Sequence, residues 1–159
     1  MALLPYRTEV GNGGLVNVDN FMNGTGEAGC IVVYDVSVSG LGSAFDTAGS
    51  VVKASAVLNG SGEKPAGMLL LDIVNKDLSQ THLNVYKRET QVGGKVAIAR
   101  GGVFVTNLIT SASTPLPGDA AYFTLGGLLS TTSTNSTRIG TFLGSKNSDG
   151  YVKVELTII

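Results

Sequence analysis

Gly93-Gly94-Lys95-Val96-Ala97-Ile98-Ala99-Arg100-Gly101-Gly102-Val103-Phe104-Val105-Thr106 is the most strand-like stretch of the chain. Val96 and Ile98 alternate with Ala97 and Ala99, and Val103 and Val105 flank Phe104. Alternation of this kind suits a pleated strand whose two faces meet different surroundings. The Gly101-Gly102 pair in its middle has two readings. It closes a two-residue hairpin, since glycine tolerates positive φ. Equally, it is a bulge or barrel corner within one long bent strand.

Shorter β segments lie on both sides. Residues 30–38 carry Ile31, Val32, Val33, Tyr34, Val36 and Val38, all strand formers. Residues 50–58 alternate as a second strand, and Asn59-Gly60-Ser61-Gly62-Glu63-Lys64-Pro65 is turn chemistry. Residues 68–74 are almost uniformly apolar and are expected as one strand buried on both faces. After the central stretch, Ser113-Thr114-Pro115-Leu116-Pro117-Gly118-Asp119 is a rigid turn. Short strands follow over 120–124, from Leu128, and over 138–143, and Asn147-Ser148-Asp149-Gly150 is a tight turn. In the last strand Val152, Val154, Leu156 and Ile158 share one face, with Tyr151, Lys153, Glu155 and Thr157 on the other. The expected fold is all-β, a compact barrel or sandwich of about ten short strands.

Residues 1–29 read differently. Gly11-Asn12-Gly13-Gly14 is a flexible break, and Leu15, Val16 and Val18 fit a short strand. Phe21 and Met22 are apolar anchors in a polar, Gly-rich run. Such a segment orders against a neighbouring surface or frays as a terminus. The expected organisation is an N-terminal arm over 1–29 and a β domain over 30–159. Removing residues before Cys30 is then expected to leave the domain folded.

Composition narrows the function classes. The 159 residues hold 43% apolar and only 14% charged side chains, with a net charge of −1. That balance argues against a charge-rich disordered chain and gives no basic surplus for neutralising phosphates, so no nucleic-acid partner is expected. The start, Met1-Ala2-Leu3-Leu4-Pro5-Tyr6-Arg7, does not read as a signal peptide. The densest apolar run, Gly67-Met68-Leu69-Leu70-Leu71, falls far short of a membrane span. The sequons at Asn23, Asn59 and Asn135 read as by-products of turn composition.

Chemistry-bearing residues are sparse. Cys30 is the single cysteine, so no intrachain disulfide forms, and its apolar flank makes it a small buried hydrophobe. His82 is the single histidine, which leaves a transition-metal site without its usual ligands. No cofactor is expected. Asn147-Ser148-Asp149-Gly150 lacks the spacing and terminal Glu of a calcium loop. Gly60-Ser61-Gly62-Glu63-Lys64-Pro65 puts proline where a phosphate loop needs Ser or Thr. Residues 75–91 concentrate the charge, with Lys76, Asp77, His82, Lys87, Arg88 and Glu89. Tyr86-Lys87-Arg88 is the one local basic-aromatic cluster, and salt bridges to other subunits are its favoured role. A structural or binding role is favoured over an enzyme.

Several segments, in order, resemble the capsid cement (head decoration) proteins of tailed bacteriophages. They are Leu70-Leu71-Asp72-Ile73-Val74-Asn75-Lys76-Asp77-Leu78, Tyr86-Lys87-Arg88-Glu89-Thr90-Gln91-Val92-Gly93-Gly94-Lys95-Val96 and Gly101-Gly102-Val103-Phe104-Val105-Thr106-Asn107. Further on come Pro117-Gly118-Asp119-Ala120-Ala121-Tyr122, Gly127-Leu128-Leu129-Ser130, Ile139-Gly140-Thr141-Phe142-Leu143-Gly144 and Asp149-Gly150-Tyr151-Val152-Lys153-Val154. Each piece is short, but their order and spacing run over more than half of the chain. The resemblance implies a non-enzymatic all-β virion protein, made in the host cytoplasm and placed on the outer surface of the capsid. It implies the major capsid protein as partner and homotrimers at threefold and quasi-threefold positions, and involves no membrane. Phe21, Met22, His82, Tyr86, Lys87 and Arg88 are the expected capsid or intersubunit contacts. Other classes remain: a tail-tube or receptor-binding virion protein, and a carbohydrate-binding β module or small hydrolase. The absence of Trp and the 6% aromatic content weigh against sugar stacking.

Overall fold

A computed structural model describes residues 3–4, 16–37, 51–76 and 89–158. Those residues are nearly all β, as the sequence led us to expect, with 45% in strands and no helix of seven residues or more. The strands are β1 (Leu3–Leu4), β2 (Val16–Met22), β3 (Ile31–Tyr34), β4 (Val51–Ala54), β5 (Pro65–Leu69), β6 (Asp72–Val74) and β7 (Glu89–Gln91). They continue with β8 (Lys95–Ala99), β9 (Gly101–Thr106), β10 (Ala120–Phe123), β11 (Leu129–Ser130), β12 (Gly140–Phe142) and β13 (Val152–Thr157).

The architecture is a closed barrel with an open sheet packed against it. Five strands close into a barrel in the order β2-β4-β3-β5-β8. Six form an open sheet in the order β1-β9-β13-β12-β10-β11, and β6 pairs with β7 in a parallel two-stranded piece. The barrel pairs are antiparallel except β2 with β4.

The core residues explain this division. Met22, Cys30, Val32, Val52, Ala66, Leu69, Ile73, Val96 and Ile98 form one buried cluster, drawn largely from the barrel strands. Ile31, Val33, Met68 and Ala99, also on barrel strands, instead join a second cluster with Phe104, Phe123, Phe142, Val152, Val154 and Leu156 of the sheet. The barrel wall therefore has apolar side chains on both faces. This is why Ile31-Val32-Val33 is uniformly apolar: Val32 belongs to one cluster, and Ile31 and Val33 to the other. β13 covers the core with one face only, so Val152, Val154 and Leu156 are buried while Glu155 and Thr157 are exposed.

The central stretch resolves in favour of the bent strand. β8 pairs with β2 and β5, whereas β9 pairs with β1 and β13, so the two do not form a hairpin. Arg100 alone separates them, carrying the chain from barrel to sheet. Gly102 sits at φ +120, a conformation that side chains rarely adopt.

Two expectations need correction. The single strand expected over 68–74 is β5 and β6, interrupted at Leu70 and Leu71. The break redirects the chain: Asp72 Oδ1 accepts the Ala28 N–H at 2.7 Å, and Ile73 and Gly26 exchange two backbone hydrogen bonds. The boundary at residue 29 is not a boundary of the domain. β2 is a stave of the barrel, and β1 pairs with β9 on the sheet. Removing residues before Cys30 therefore removes a wall of the barrel. The polar run hid this because Asn20 is also buried, at 3% exposure, beside the apolar Met22.

Candidate functional site

The six residues expected at contacts fall into three situations. Met22 is 1% exposed and packs in the barrel cluster, so in this fold it is a core residue and not a surface anchor. Phe21, one step along β2, points the other way and is half-buried. Its strand partners are Val51 and Lys95, and the Lys95 ammonium sits 5.9 Å from the ring centroid, a cation-π contact. His82, Tyr86, Lys87 and Arg88 lie outside the described residues.

Cys30 is 2% exposed. Burial pushes its thiol up to about 12, opposed by the backbone hydrogen bond with Glu27. A thiol held protonated in this way is a packing group and a poor nucleophile. Among the described residues no cluster of three or more His, Cys, Asp or Glu side chains is arranged to hold a metal ion. No helix among them is long and apolar enough to cross a membrane.

Asp35 is the most heavily bonded acid among the described residues. Its Oδ1 accepts the Ser37 hydroxyl at 2.5 Å, the Ser37 N–H at 3.1 Å and Lys53 Nζ at 3.1 Å. Its Oδ2 accepts Asn23 Nδ2 at 2.9 Å. These donors, Ser37 first and Asn23 next, hold the carboxyl well below the usual carboxylate range. With its acceptor sites filled, Asp35 ties β3, β4 and the turn after β2 together. It is a structural post.

Surface chemistry concentrates at the seam between barrel and sheet. The turn over Leu58–Gly60, after β4, lies against the turn over Leu125–Gly127, after β10. Gly126 N–H donates to Ser55 O at 2.9 Å and Asn59 N–H to Thr124 Oγ1 at 3.0 Å. Leu58, 70% exposed, and Leu125, 51% exposed, project from these adjoining turns, next to the exposed Val57. The packing beneath is close. The ring of Phe123 lies where a side chain on Gly60 would begin, and Ile31 backbone occupies that place at Gly127.

A second seam feature is a cleft of about 300 Å³ lined by Tyr34, Lys64, Pro65, Arg100, Thr137, Arg138 and Ile158. Three of these side chains are cationic and none is acidic. The seam features join residues from the barrel side and the sheet side, pairings that hydrophobic periodicity in a single sequence does not encode. Isolated signals were present: the turn chemistry at Asn59-Gly60 and the Gly126-Gly127 pair.

No protein-family model matches this chain, and comparison with curated proteins finds no match.

Proposed function

We propose that this protein is a phage head decoration (cement) protein. It binds the outer surface of the capsid through the major capsid protein, as trimers at threefold and quasi-threefold positions, and stabilises the expanded shell. The observation that carries the reading is the seam patch. Leu58 and Leu125 stand exposed on two turns whose backbones are braced against each other and against the core. An exposed apolar patch on braced turns of a weakly charged domain suits docking against a protein surface better than enclosing a substrate. A clamp spanning capsomer junctions opposes their separation, and a trimer attaches at linked sites, so modest individual contacts add up to tight attachment. The ordered segments resembling cement proteins supply the particular partner.

Purified protein mixed with expanded heads that lack it tests this directly. Saturable co-sedimentation, with loaded heads disrupting at a higher temperature than bare heads, is the expected result. No binding to correctly expanded heads, or label on tails instead of heads in electron microscopy, overturns it.

A further inference from the structure

We infer that the cleft between barrel and sheet is a carboxylate-binding site. Its walls come from distant parts of the chain: Tyr34 ends β3, Lys64 precedes β5 and Pro65 opens it, Arg100 joins β8 to β9, Arg138 precedes β12 and Ile158 follows β13. The backbone there is fixed, since Tyr34 N–H donates to Lys64 O at 3.0 Å and Ile158 N–H to Arg100 O at 3.0 Å.

The cations are positioned, and no anion among the described residues pairs with them. Arg138 is held by Nε donating to Gly140 O at 3.1 Å and Nη2 to Thr141 Oγ1 at 2.7 Å. Its acceptors are neutral, and this exposed guanidinium pairs with no carboxylate of the described residues. Arg100 goes further: its Nε is buried and has no hydrogen-bond acceptor among the described residues. Buried guanidinium donors are ordinarily paired, and an unmet one marks a place where an acceptor is missing. No carboxylate of the described residues forms an ion pair with Lys64, Arg100 or Arg138.

The ligand class follows from the lining. Two guanidinium groups favour a planar two-oxygen acceptor, which a carboxylate presents. Pro65 and Ile158 supply apolar wall beside the cations, matching the methylenes next to a carboxyl group better than a fully hydrated phosphate. The carboxylate comes from a free small acid or from a Glu or Asp side chain of a bound protein. Neither source depends on the capsid reading.

NMR titration of the ¹⁵N-labelled full chain separates these cases. The probes are glutarate, acetyl-glutamate amide, acetyl-glutamine amide and inorganic phosphate. Both carboxylates are expected to shift the Arg100 and Arg138 Nε–H resonances, with dissociation constants of about 1 mM and weaker binding in high salt. The tighter of the two identifies the source, free acid or protein side chain. Arg100→Gln is expected to weaken binding about tenfold. Lys64→Gln, at an exposed position, provides a second variant that leaves the core untouched and weakens binding in the same direction. Equal shifts with the glutamine derivative overturn the inference, as does tighter binding of phosphate or the absence of any saturable shift.

Discussion

Gly126 and Gly127 are neighbours with almost the same backbone conformation, φ +77 and φ +74, in surroundings that differ completely. A Cβ on Gly126 meets nothing within 4 Å, whereas one on Gly127 runs into the Ile31 backbone of β3. Gly126→Ala therefore isolates the cost of a side chain in the left-handed region, about 1–2 kcal/mol. Gly127→Ala adds the cost of forcing barrel and sheet apart. Backbone has no rotamer to yield, so that addition is about 1–3 kcal/mol, giving about 2–5 kcal/mol in all. For a chain of this size the larger loss lowers Tm by roughly 4–20 °C, against roughly 2–8 °C for Gly126→Ala. Urea unfolding followed by far-UV circular dichroism measures both, a suitable probe because the chain has no Trp. Equal midpoints for the two variants would refute the claim that Gly127 is the close contact of the seam.

The remaining predictions concern the core, the surface and pH. Removing residues 1–29 is expected to abolish the cooperative unfolding transition, and Met22→Ala alone to cost about 2–5 kcal/mol in the same urea assay. Leu58→Glu with Leu125→Glu is expected to change stability by less than about 1 kcal/mol while weakening head binding in co-sedimentation. Asp35 has its carboxyl depressed by Ser37, Asn23 and Lys53, so its contribution is complete above the unfolded-state value. The unfolded chain takes up the proton first, so that contribution is lost progressively as pH falls below about 4. In urea titrations across that range, the stability gap between the native chain and Asp35→Asn should narrow on acidification. Cys30, with its thiol pushed up to about 12, should resist thiol reagents in the folded chain and react once urea unfolds it.

The all-β class was legible because alternation survives wherever one face of a strand is wet. β13 is the clearest case: Val152, Val154 and Leu156 alternate with Lys153, Glu155 and Thr157. Alternation fails where both faces are buried, so Ile31-Val32-Val33 and Met68-Leu69 reveal strand character but not which side faces which cluster. β2 was harder to read because its Asn and Asp residues mask a barrel stave. Asn20 is buried there although its type suggests a surface loop. The seam was least legible. The contact of Gly127 with Ile31 and the assembly of Lys64, Arg100 and Arg138 around one cleft arise only when segments far apart in sequence meet.

The single-residue link at Arg100 has a consequence for biosynthesis. The barrel needs β8 to close against β2 and β5, and the sheet needs β9 to hold β1 and β13. Both strands leave the ribosome together, after more than half the chain has been made. Until then β2, β3, β4 and β5 form an unclosed wall with apolar side chains on both faces. Even after β8 arrives, the other face of that wall is not fully covered until β13, the last strand of the second cluster, is synthesised. The nascent chain thus presents unpaired strand edges until β8 arrives and an incompletely covered apolar face after that, a window in which chaperone capture or pairing with another copy competes with folding.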